Sequence, residues 1–349
     1  ASLNHTDEYG INRTYIRTPK VDEMAKKYFG CENVKGIPVE NQGSPGSASS
    51  HWEARILLGE YMTSEFYEDE VAISEITLAL LEDTNWYKVN YYTGGLMRFG
   101  KNKGCDFLNL HCLDISTFQS RFPNEFFGLD LKDYPSCSTG RQSRTIDILN
   151  FYPSLDQDQY YKLAPTYLDQ PTQKVYYVGG PFYSADYCPL HFHVLTEYEE
   201  SHFVGNCKIG NGNYGSYLYY RNLSTGIAEM HRNGELPKEL GEKYSENSFC
   251  MMSNLVPNGI DEMYGTLTHP MCFPSFCSSS SLTVLINDQY IVCPKQGGNV
   301  EVEGYSGKLH CPDYNLICTG TVLCNDLFDC IDKKSSRSEE RRVGKECRS

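Results

Sequence analysis

Cysteine is the residue type that most limits the folds open to this chain. Cys347 lies near the end, and the other 14 of the 15 cysteines are scattered between residues 31 and 330. Structural zinc sites use paired C-x2-4-C clips, but the close pairs here, "CFPSFC", "CTGTVLC" and "CNDLFDC", have no matching second clip. An even, scattered set favours a disulfide framework over zinc. The disulfide candidates are Cys31, Cys105, Cys112, Cys137, Cys188, Cys207, Cys250, Cys272, Cys277, Cys293, Cys311, Cys318, Cys324 and Cys330.

The end of the sequence, "RSEERRVGKECRS" from Arg337 to Ser349, resembles the translation of a sequencing-adapter read. We expect residues 337–349 to be such an artefact and residues 321–336 to be a short cysteine-containing extension. The tail holds five basic and three acidic residues, so the formal net charge of −14 becomes −16 without it. An acidic chain without clustered Lys and Arg lacks the surface that binds phosphates. No nucleic-acid partner is therefore predicted.

Three N-x-S/T sequons indicate the secretory pathway, which is also where disulfides form. They begin at Asn4 ("NHT"), Asn12 ("NRT") and Asn222 ("NLS"), and each is a glycosylation candidate on a secreted chain. No apolar run reaches the roughly 18 residues that a transmembrane helix needs, so no membrane span is predicted. Together these features predict an extracellular or cell-surface protein that passes through the secretory pathway.

The first third of the chain carries helical signals. Residues 1 to about 20 are polar and are expected to form a surface connection. The stretch "TPKVDEMAKKYFGC" has apolar residues at helical spacing, among them Val21 and Phe29, and Gly30 is placed to end the helix. The loop "NQGSPGSASS" follows, and its small residues allow the backbone to approach a partner closely.

A second helix is predicted over "EDEVAISEITLALLEDTNWY", with acidic residues in its first turn. Its core face is expected to carry Ile73, Ile76, Leu80 and Leu81. The following "YKVNYY" reads as a strand. The acidic patch at the start of this region is expected to be solvated, because the alternating oxygen ligands of a calcium loop are absent. That patch comprises Glu65, Glu68, Asp69 and Glu70.

From about Gly104 onward the sequence becomes rich in cysteine, proline and tyrosine. The runs "QKVYYVGG", "GSYLYYRN", "LTVLINDQYIVC" and "NVEVEGY" alternate or are rich in β-forming residues between turn residues. We predict a second, mainly β domain that is held by disulfides. No internal repeat of fixed period is present.

Histidines supply the candidate metal ligands. His51 ends the Gly/Ser loop, but a lone histidine is more often a hydrogen-bonded structural residue than a ligand. His191 and His193 lie on one face of a possible strand in "CPLHFHVL", with Cys188 and His202 nearby in sequence. This second set is expected to be structural, because no further ligand completes it at a characteristic spacing.

One long stretch makes the sequence more specific. The segment "RTPKVDEMAKKYFGCENVKGIPVENQGSPGSASSHWEARILLGEYMTS", followed by "ITLALLEDTNWYKV" and "GKNKGCDF", resembles leishmanolysin, the M8 family of zinc metallopeptidases. The resemblance runs from about Arg17 to Cys318. Members of this family are metzincins, in which a helical H-E-x-x-H and a third, more distant histidine hold zinc above a Met-turn.

The resemblance implies roles for residues around the loop. His51 is expected to be the third zinc ligand, and Met62 to be the Met-turn methionine that packs under the metal without binding it. Trp52 is expected to be a packing anchor, and Glu53 to form a salt bridge or orient the loop.

The sequence departs from the family pattern at one point. None of its nine histidines begins an H-E-x-x-H motif. Family spacing places that motif shortly before Ala1, which indicates a fragment that has lost two zinc ligands and the general base. One ligand does not hold catalytic zinc, so the 349 residues alone are predicted to be inactive.

The resemblance also implies a pairing for the cysteines, which spacing alone leaves open. The implied pairs are Cys31 with Cys105, Cys112 with Cys188, Cys137 with Cys250, Cys207 with Cys272, Cys277 with Cys318, Cys293 with Cys311, and Cys324 with Cys330.

The expected fold class is α+β, with a metzincin C-terminal subdomain of loop and helices followed by a mainly β, disulfide-rich domain. Residues 1–104 would form the central part of the peptidase module, and residues 105–320 the cysteine-rich domain. The implied function is a zinc-dependent metalloendopeptidase acting on protein or peptide substrates. The alternative is a non-catalytic adhesion ectodomain that binds cell-surface or matrix proteins.

Overall fold

The computed structural model describes residues 2–6, 10–43, 46–64, 71–91, 97–114, 116–128, 135–147, 149–153, 166–193, 205–208, 218–221, 228–231, 241–258 and 268–318. Within them the chain is mainly β, with few and short helices, and it contains six disulfides. None of the helices in these ranges has the length and apolar character needed to cross a lipid bilayer.

The helices are α1 (Pro19–Phe29), α2 (Ala54–Leu57), α3 (Glu75–Asp83), α4 (Cys105–Asn109) and α5 (Tyr314–Ile317), with a 3-10 turn at Tyr183–Ala185. The strands of the first half are β1 (Ser2–Thr6), β2 (Asn12–Ile16), β3 (Ile37–Pro38), β4 (Pro135–Cys137), β5 (Arg144–Asp147), β6 (Asn150–Tyr152), β7 (Thr166–Asp169), β8 (Lys174–Gly179) and β9 (His191–His193). Those of the second half are β10 (Leu218–Arg221), β11 (Ala228–His231), β12 (Ser248–Ser253), β13 (Val256–Pro257), β14 (His269–Cys277), β15 (Leu282–Ile286), β16 (Gln289–Cys293), β17 (Gly298–Val300), β18 (Tyr305–Ser306) and β19 (Leu309–Cys311).

The N-terminal residues form an antiparallel hairpin of β1 and β2, and β3 pairs with β2. The prediction of a surface connection over residues 1 to 20 was therefore wrong. Every residue of β1 is exposed, but β2 alternates and buries Arg13 and Tyr15. The polar composition concealed the strand because Arg13 points inward to buried acidic partners.

The first predicted helix is confirmed as α1, which ends as expected at Gly30. Gly30 adopts the left-handed conformation with φ 67°, and its N–H bonds back to the Lys26 carbonyl. Val21, Ala25 and Phe29 are buried on the inner face of α1, which packs against α3. The register predicted from apolar spacing is the observed one.

The second predicted helix is shorter than expected. Helix α3 begins only at Glu75, because Ser74 caps it by accepting a hydrogen bond from the Thr77 N–H. Ile73 precedes the helix and is exposed, as is Leu81, so neither lies on the core face as predicted. Residues 65–70, which include the acidic patch, lie outside the described residues.

The strand predicted at "YKVNYY" is not observed in residues 87–91, and Tyr92 lies outside the described part. No neighbouring strand pairs with this segment among the described residues. The hydroxyl of Tyr91 instead donates to Glu82 Oε2 at 2.6 Å, which holds the segment beside α3. Residue types that favour strands form one only where a neighbouring strand is available for pairing.

The largest sheet has six antiparallel strands in the order β16-β15-β14-β12-β19-β17. Of the predicted runs, "LTVLINDQYIVC" forms β15 and β16, "QKVYYVGG" forms β8, and "GSYLYYRN" contains β10. In "NVEVEGY" only the start belongs to a strand, β17, and its last residue begins β18. Cys250 on β12 lies directly opposite Cys272 on β14.

The six disulfides join the pairs that the family resemblance implies for those cysteines. The remaining implied pair, Cys324 with Cys330, lies outside the described residues, as do residues 321–336 and 337–349. Cross-links that close long loops stabilise a fold by up to about 4–5 kcal/mol. The Cys137–Cys250 bridge spans 113 residues and belongs to this class.

Two main clusters of buried apolar side chains are present. The first contains a set of packed aromatic rings, Phe29, Phe99, Phe107 and Phe126, and takes side chains from both sides of residue 104. The second lies under the six-stranded sheet and includes Phe273. The division of the chain at residue 104 stays a prediction.

Candidate functional site

The loop that ends at His51 is held by strand-like backbone bonds to Glu40. The Glu40 N–H donates to the His51 carbonyl at 2.9 Å, and the Ser49 N–H donates to the Glu40 carbonyl at 2.7 Å. Ser49 has φ 65°, a left-handed conformation that turns the chain sharply before the histidine. Ser44 and Pro45 of this loop lie outside the described residues.

The ring of His51 is oriented by its Nδ1 atom. Nδ1 lies 3.1 Å from the Ser47 carbonyl oxygen and 2.9 Å from Ser50 Oγ, which itself donates to the Gly46 carbonyl. Because a carbonyl only accepts, this network assigns the proton to Nδ1. Nε2 then carries a lone pair, and it has no hydrogen-bond partner in the described parts of the chain. This is the tautomer in which a histidine binds a metal through Nε2.

Met62 lies beside this histidine. The Trp52 N–H donates to the Met62 carbonyl at 2.9 Å, which joins the residue after His51 to the turn that carries Met62. Met62 is 41% exposed. His51 and Met62, predicted as ligand and Met-turn residue, therefore line one groove.

That groove has a volume of about 360 Å³ and an apolar wall. It lies between the His51 loop, the Met62 turn and helix α3. Tyr61 at its rim is 57% exposed. The residues that line it are Ile16, Val39, Ser49, Ser50, His51, Trp52, Tyr61, Met62, Ile73, Thr77, Leu78, Leu80 and Leu81.

Trp52 and Glu53 play structural parts. Trp52 is 3% exposed, and its indole N–H donates to Thr77 Oγ1 at 2.8 Å. Glu53 caps α2 and pairs with Arg13 at 3.0 Å. These contacts agree in kind with the packing and salt-bridge roles expected of the two residues.

A buried ionic network lies behind the loop. Asp186 Oδ2 accepts from Arg13 Nη2 at 2.7 Å and from Arg55 Nε at 3.1 Å, and Asp186 Oδ1 accepts from Gln42 at 2.7 Å. Burial raises the pKa of Glu53 well above its usual range, and the negative charge of Asp186 adds to this effect. Two arginines thus face two carboxylates inside the protein.

Glu40 is a third carboxyl group near this network. Burial raises its pKa to about 7, while hydrogen bonds from the Gln42 N–H and Ser64 Oγ act in the opposite direction. Because the two arginines are already balanced by two acids, a third buried carboxylate is disfavoured. Glu40 takes up a proton more readily than an exposed glutamate.

This shift predicts a pH-dependent stability. The pKa of Glu40 is raised from 4.5 to about 7 on folding, so its stabilising protonated form is present below pH 4.5 and lost as the pH rises to about 7. Relative to wild type, Glu40→Gln should gain stability across this window, by about 3 kcal/mol at pH 8. Chemical unfolding between pH 4 and 8 measures the difference. A difference that does not vary with pH would contradict the assignment.

The second histidine set does not form a metal site in the described residues. His191 is buried, and its Nε2 lies 3.0 Å from the Pro123 carbonyl oxygen. Cys188 is bonded to Cys112, and His202 and the side chain of His193 lie outside the described part. His111 lies near this disulfide, with donor atoms within 4.8 Å, and burial lowers its pKa to about 4. Sulfurs in a disulfide do not bind zinc, so Cys188 is not a ligand, and the structural interpretation of the histidines stays a prediction.

Two of the three sequons are described. Asn4 and Asn12 are exposed on β1 and β2, whereas Asn222 lies outside the described residues. Thr14 Oγ1 donates to Asn4 Oδ1 at 3.0 Å, and Thr6 Oγ1 donates to Asn12 Oδ1 at 2.6 Å. Each sequon threonine therefore bonds the asparagine of the other sequon.

Sequence reasoning missed three polar residues that hold the site together, Glu40, Glu60 and Thr77. Glu60 is fully buried two residues before Met62 and accepts from the Met62 N–H. Thr77 was readable as a polar residue inside the apolar run "ITLALL". Nothing in the sequence alone connects these two residues.

Comparison with known proteins gives one consistent result. The family model described as leishmanolysin, peptidase M8, matches residues 2–324. A leishmanolysin-like peptidase of Caenorhabditis briggsae is 33% identical over 347 residues, which cover 89% of this chain and 47% of that protein. A leishmanolysin homolog of Crithidia fasciculata is 26% identical over 88% of this chain and 42% of its own length.

A third relative is similar over a shorter region. The ciliated left-right organizer metallopeptidase of Xenopus laevis is 40% identical over 117 residues, covering 33% of this chain and 16% of its own length. The chain spans about half the length, or less, of the curated relatives it matches.

Proposed function

The chain belongs to the leishmanolysin family of metallopeptidases, and from this premise we propose that it is the part of a zinc-dependent endopeptidase that supplies the third zinc ligand, His51. The single observation that carries the proposal is the state of the His51 ring. Its Nδ1 atom bonds the Ser47 carbonyl, and its Nε2 faces no hydrogen-bond partner in the described parts of the chain. A bound zinc ion would activate water and polarise the peptide carbonyl.

The residues around His51 fit such a role. The Ser47 carbonyl fixes the ring as an outer-shell partner does for a zinc ligand. Met62 lines the same groove as the histidine, and its soft, apolar side chain supports the proposal that it is the Met-turn residue. The metzincin subdomain assignment for residues 1–104 is part of this proposal.

Two more ligands and a general base are required, and the 349 residues contain no H-E-x-x-H. We propose that a part of the protein outside this sequence supplies them. The apolar groove beside His51 supports this, because its wall exposes Ile73 and Tyr61 where a packed catalytic part would cover them. Protein or peptide substrates and a location outside the cell belong to the same proposal.

This function predicts that the 349-residue chain alone has no peptidase activity. One histidine does not retain catalytic zinc, and among the described residues that line the groove none is acidic. The test is hydrolysis of a quenched fluorescent peptide by the refolded chain with added Zn²⁺, beside the full-length protein. Zinc-dependent hydrolysis by the isolated chain would refute the need for an external part. An inactive, zinc-free full-length protein would refute the endopeptidase.

The missing motif also keeps a second function open, a disulfide-rich adhesion ectodomain of the same family. The six disulfides suit an extracellular binding module, whereas the presence of both His51 and Met62 weighs against this alternative, because neither is needed without zinc. Sequencing the transcript upstream of Ala1 separates the two functions. An in-frame H-E-x-x-H favours the endopeptidase, and a complete reading frame without it favours adhesion.

Passage through the secretory pathway predicts glycans on Asn4 and Asn12. Both side chains lie on the same exposed face of the β1–β2 hairpin, since each stands opposite the threonine of the other sequon. Expression in insect or mammalian cells, followed by PNGase F and peptide mass spectrometry, should convert both residues to aspartate. Thr6→Ala serves as the matched control, because it removes only the Asn4 sequon. Secreted protein with both asparagines unmodified would contradict the prediction.

A further inference from the structure

Glu60 is a fully buried carboxylate that connects three parts of the site. Its Oε2 accepts from the Met62 N–H, in the turn that carries the methionine. Its Oε1 accepts from the Ser74 N–H at 3.0 Å, from Ser74 Oγ at 3.1 Å and from Thr77 Oγ1. One side chain thus ties the Met62 turn to the first turn of α3.

The contacts continue from Glu60 to the residue beside His51. Thr77 Oγ1 accepts from the Trp52 indole N–H at 2.8 Å, and the Trp52 backbone N–H donates to the Met62 carbonyl. Trp52 is therefore held at two points, and both lead back to Glu60. The histidine loop and the methionine turn share a single buried anchor.

No Lys or Arg forms an ion pair with Glu60 within the described ranges. Its negative charge is instead stabilised by two backbone N–H groups, two hydroxyls and the positive end of the nine-residue helix α3. Burying a charged carboxylate is unfavourable because the group loses its hydration. The two oxygens of Glu60 offset this loss by accepting hydrogen bonds from four donors at once. A neutral side chain of the same size provides fewer acceptors.

We propose that Glu60 is a positioning residue that fixes His51 and Met62 relative to each other. It is not among the residues that line the groove, and it acts through the Met62 N–H and the Thr77–Trp52 relay. This inference rests on the proposed function in so far as His51 and Met62 belong to a zinc site. The coupling itself is a property of the 349-residue chain and is testable without zinc.

Glu60→Gln tests the coupling at almost constant volume. An amide has one acceptor oxygen and one NH₂ donor, so either the Met62 N–H or the Ser74 N–H must then face a donor. In both cases Glu60 loses its hydrogen bond either to the Met62 turn or to the start of α3. We expect the Trp52 indole and the His51 ring both to change environment.

Asp83 supplies a matched control at the other end of α3. Its Oδ2 accepts from Thr18 Oγ1 at 2.5 Å, from the Lys20 N–H at 2.8 Å and from the Val21 N–H at 3.2 Å, at the start of α1. It is the same kind of contact, a carboxylate bonded to a hydroxyl and backbone N–H groups. Asp83→Asn should lower stability without reaching the histidine loop.

The measurements use the oxidised 349-residue chain. Trp86 is 83% exposed and is the only tryptophan besides Trp52, so a Trp86→Phe background makes the emission report on Trp52 alone. Ring ¹⁵N shifts of labelled histidine report which nitrogen of His51 holds the proton, and His51→Gln assigns the signal. Thermal unfolding of each variant gives the stability.

The expected result is a shift of both the Trp52 emission and the His51 ring ¹⁵N signals in Glu60→Gln, with neither shift in Asp83→Asn. Unchanged signals in a folded Glu60→Gln protein of lowered stability would overturn the proposal and leave Glu60 a merely structural residue. Should Glu60→Gln fail to fold, Thr77→Val breaks the relay and Thr77→Ser retains it, and equal signals from these two variants would likewise overturn the proposal. Zinc binding by the full-length protein tests the proposed function separately. A full-length protein that binds no zinc would not change the result of the Glu60 experiment.

Discussion

Asp186→Asn is expected to lower the free energy of unfolding by about 3–5 kcal/mol. The aspartate accepts from two arginines, Arg13 and Arg55, and all three side chains are buried. Removing its charge deletes the carboxylate that pairs with both guanidinium groups, while Glu53 still pairs with Arg13. An uncompensated charge inside a protein costs far more than the lost bond itself.

Asparagine suits this test because the backbone is not disturbed. Asp186 has φ 53°, a left-handed conformation that asparagine tolerates as well as aspartate does. Urea unfolding followed by circular dichroism measures the change.

The matched control is Glu23→Gln, which removes an exposed carboxylate paired with Lys20 and Lys27 on α1. The control should unfold as wild type does, because exposed ion pairs contribute little. Equal midpoints for all three proteins would show that the network does not stabilise the fold.

His51→Gln in the full-length protein is expected to abolish zinc-dependent hydrolysis. Loss of an outer-shell partner of zinc lowers affinity or activity by about 10–100-fold, so loss of a ligand should exceed about 100-fold. Glutamine keeps a polar side chain in the loop but provides no imidazole nitrogen. Zinc content by elemental analysis and peptide hydrolysis are the two measurements.

The control for this variant is His5→Gln, which changes an exposed histidine on β1, outside the groove. It should retain both zinc and activity. If His51→Gln also binds one zinc per chain and cleaves peptides as wild type does, His51 is not a ligand, and the proposed function needs another one.

The sequence predicted well where a local pattern determines the structure. Helix α1 has apolar residues at regular spacing and a glycine at its end, and both features act within one helix. The hairpin of β15 and β16 reads directly from its alternating residues around Asn287 and Asp288, which both adopt positive φ. The boundaries of these elements are set by residues within the elements themselves.

Prediction failed where a distant partner decides the structure. Helix α3 begins at Glu75 because the capping residue Ser74 is hydrogen-bonded to Glu60. The spacing of apolar residues gives no information about that contact. Arg13 reads as a surface residue until Asp186, 173 positions later, is brought beside it. The roles of His51 and Met62 are implied by the family resemblance, but the anchor between them joins residues that no local motif links.

The direct opposition of Cys250 and Cys272 on β12 and β14 has a consequence for how the protein is made. These two thiols are 22 residues apart, whereas their native partners lie 113 and 65 residues away. Closing the shorter loop is favoured by about 1.5 kcal/mol over the 113-residue loop, so a mispaired Cys250–Cys272 bridge is expected to compete with the native Cys137–Cys250 bridge during oxidation. A chain that forms this bridge reaches the native pattern only by thiol–disulfide exchange, so the yield of correctly folded protein should depend on the disulfide isomerase of the host.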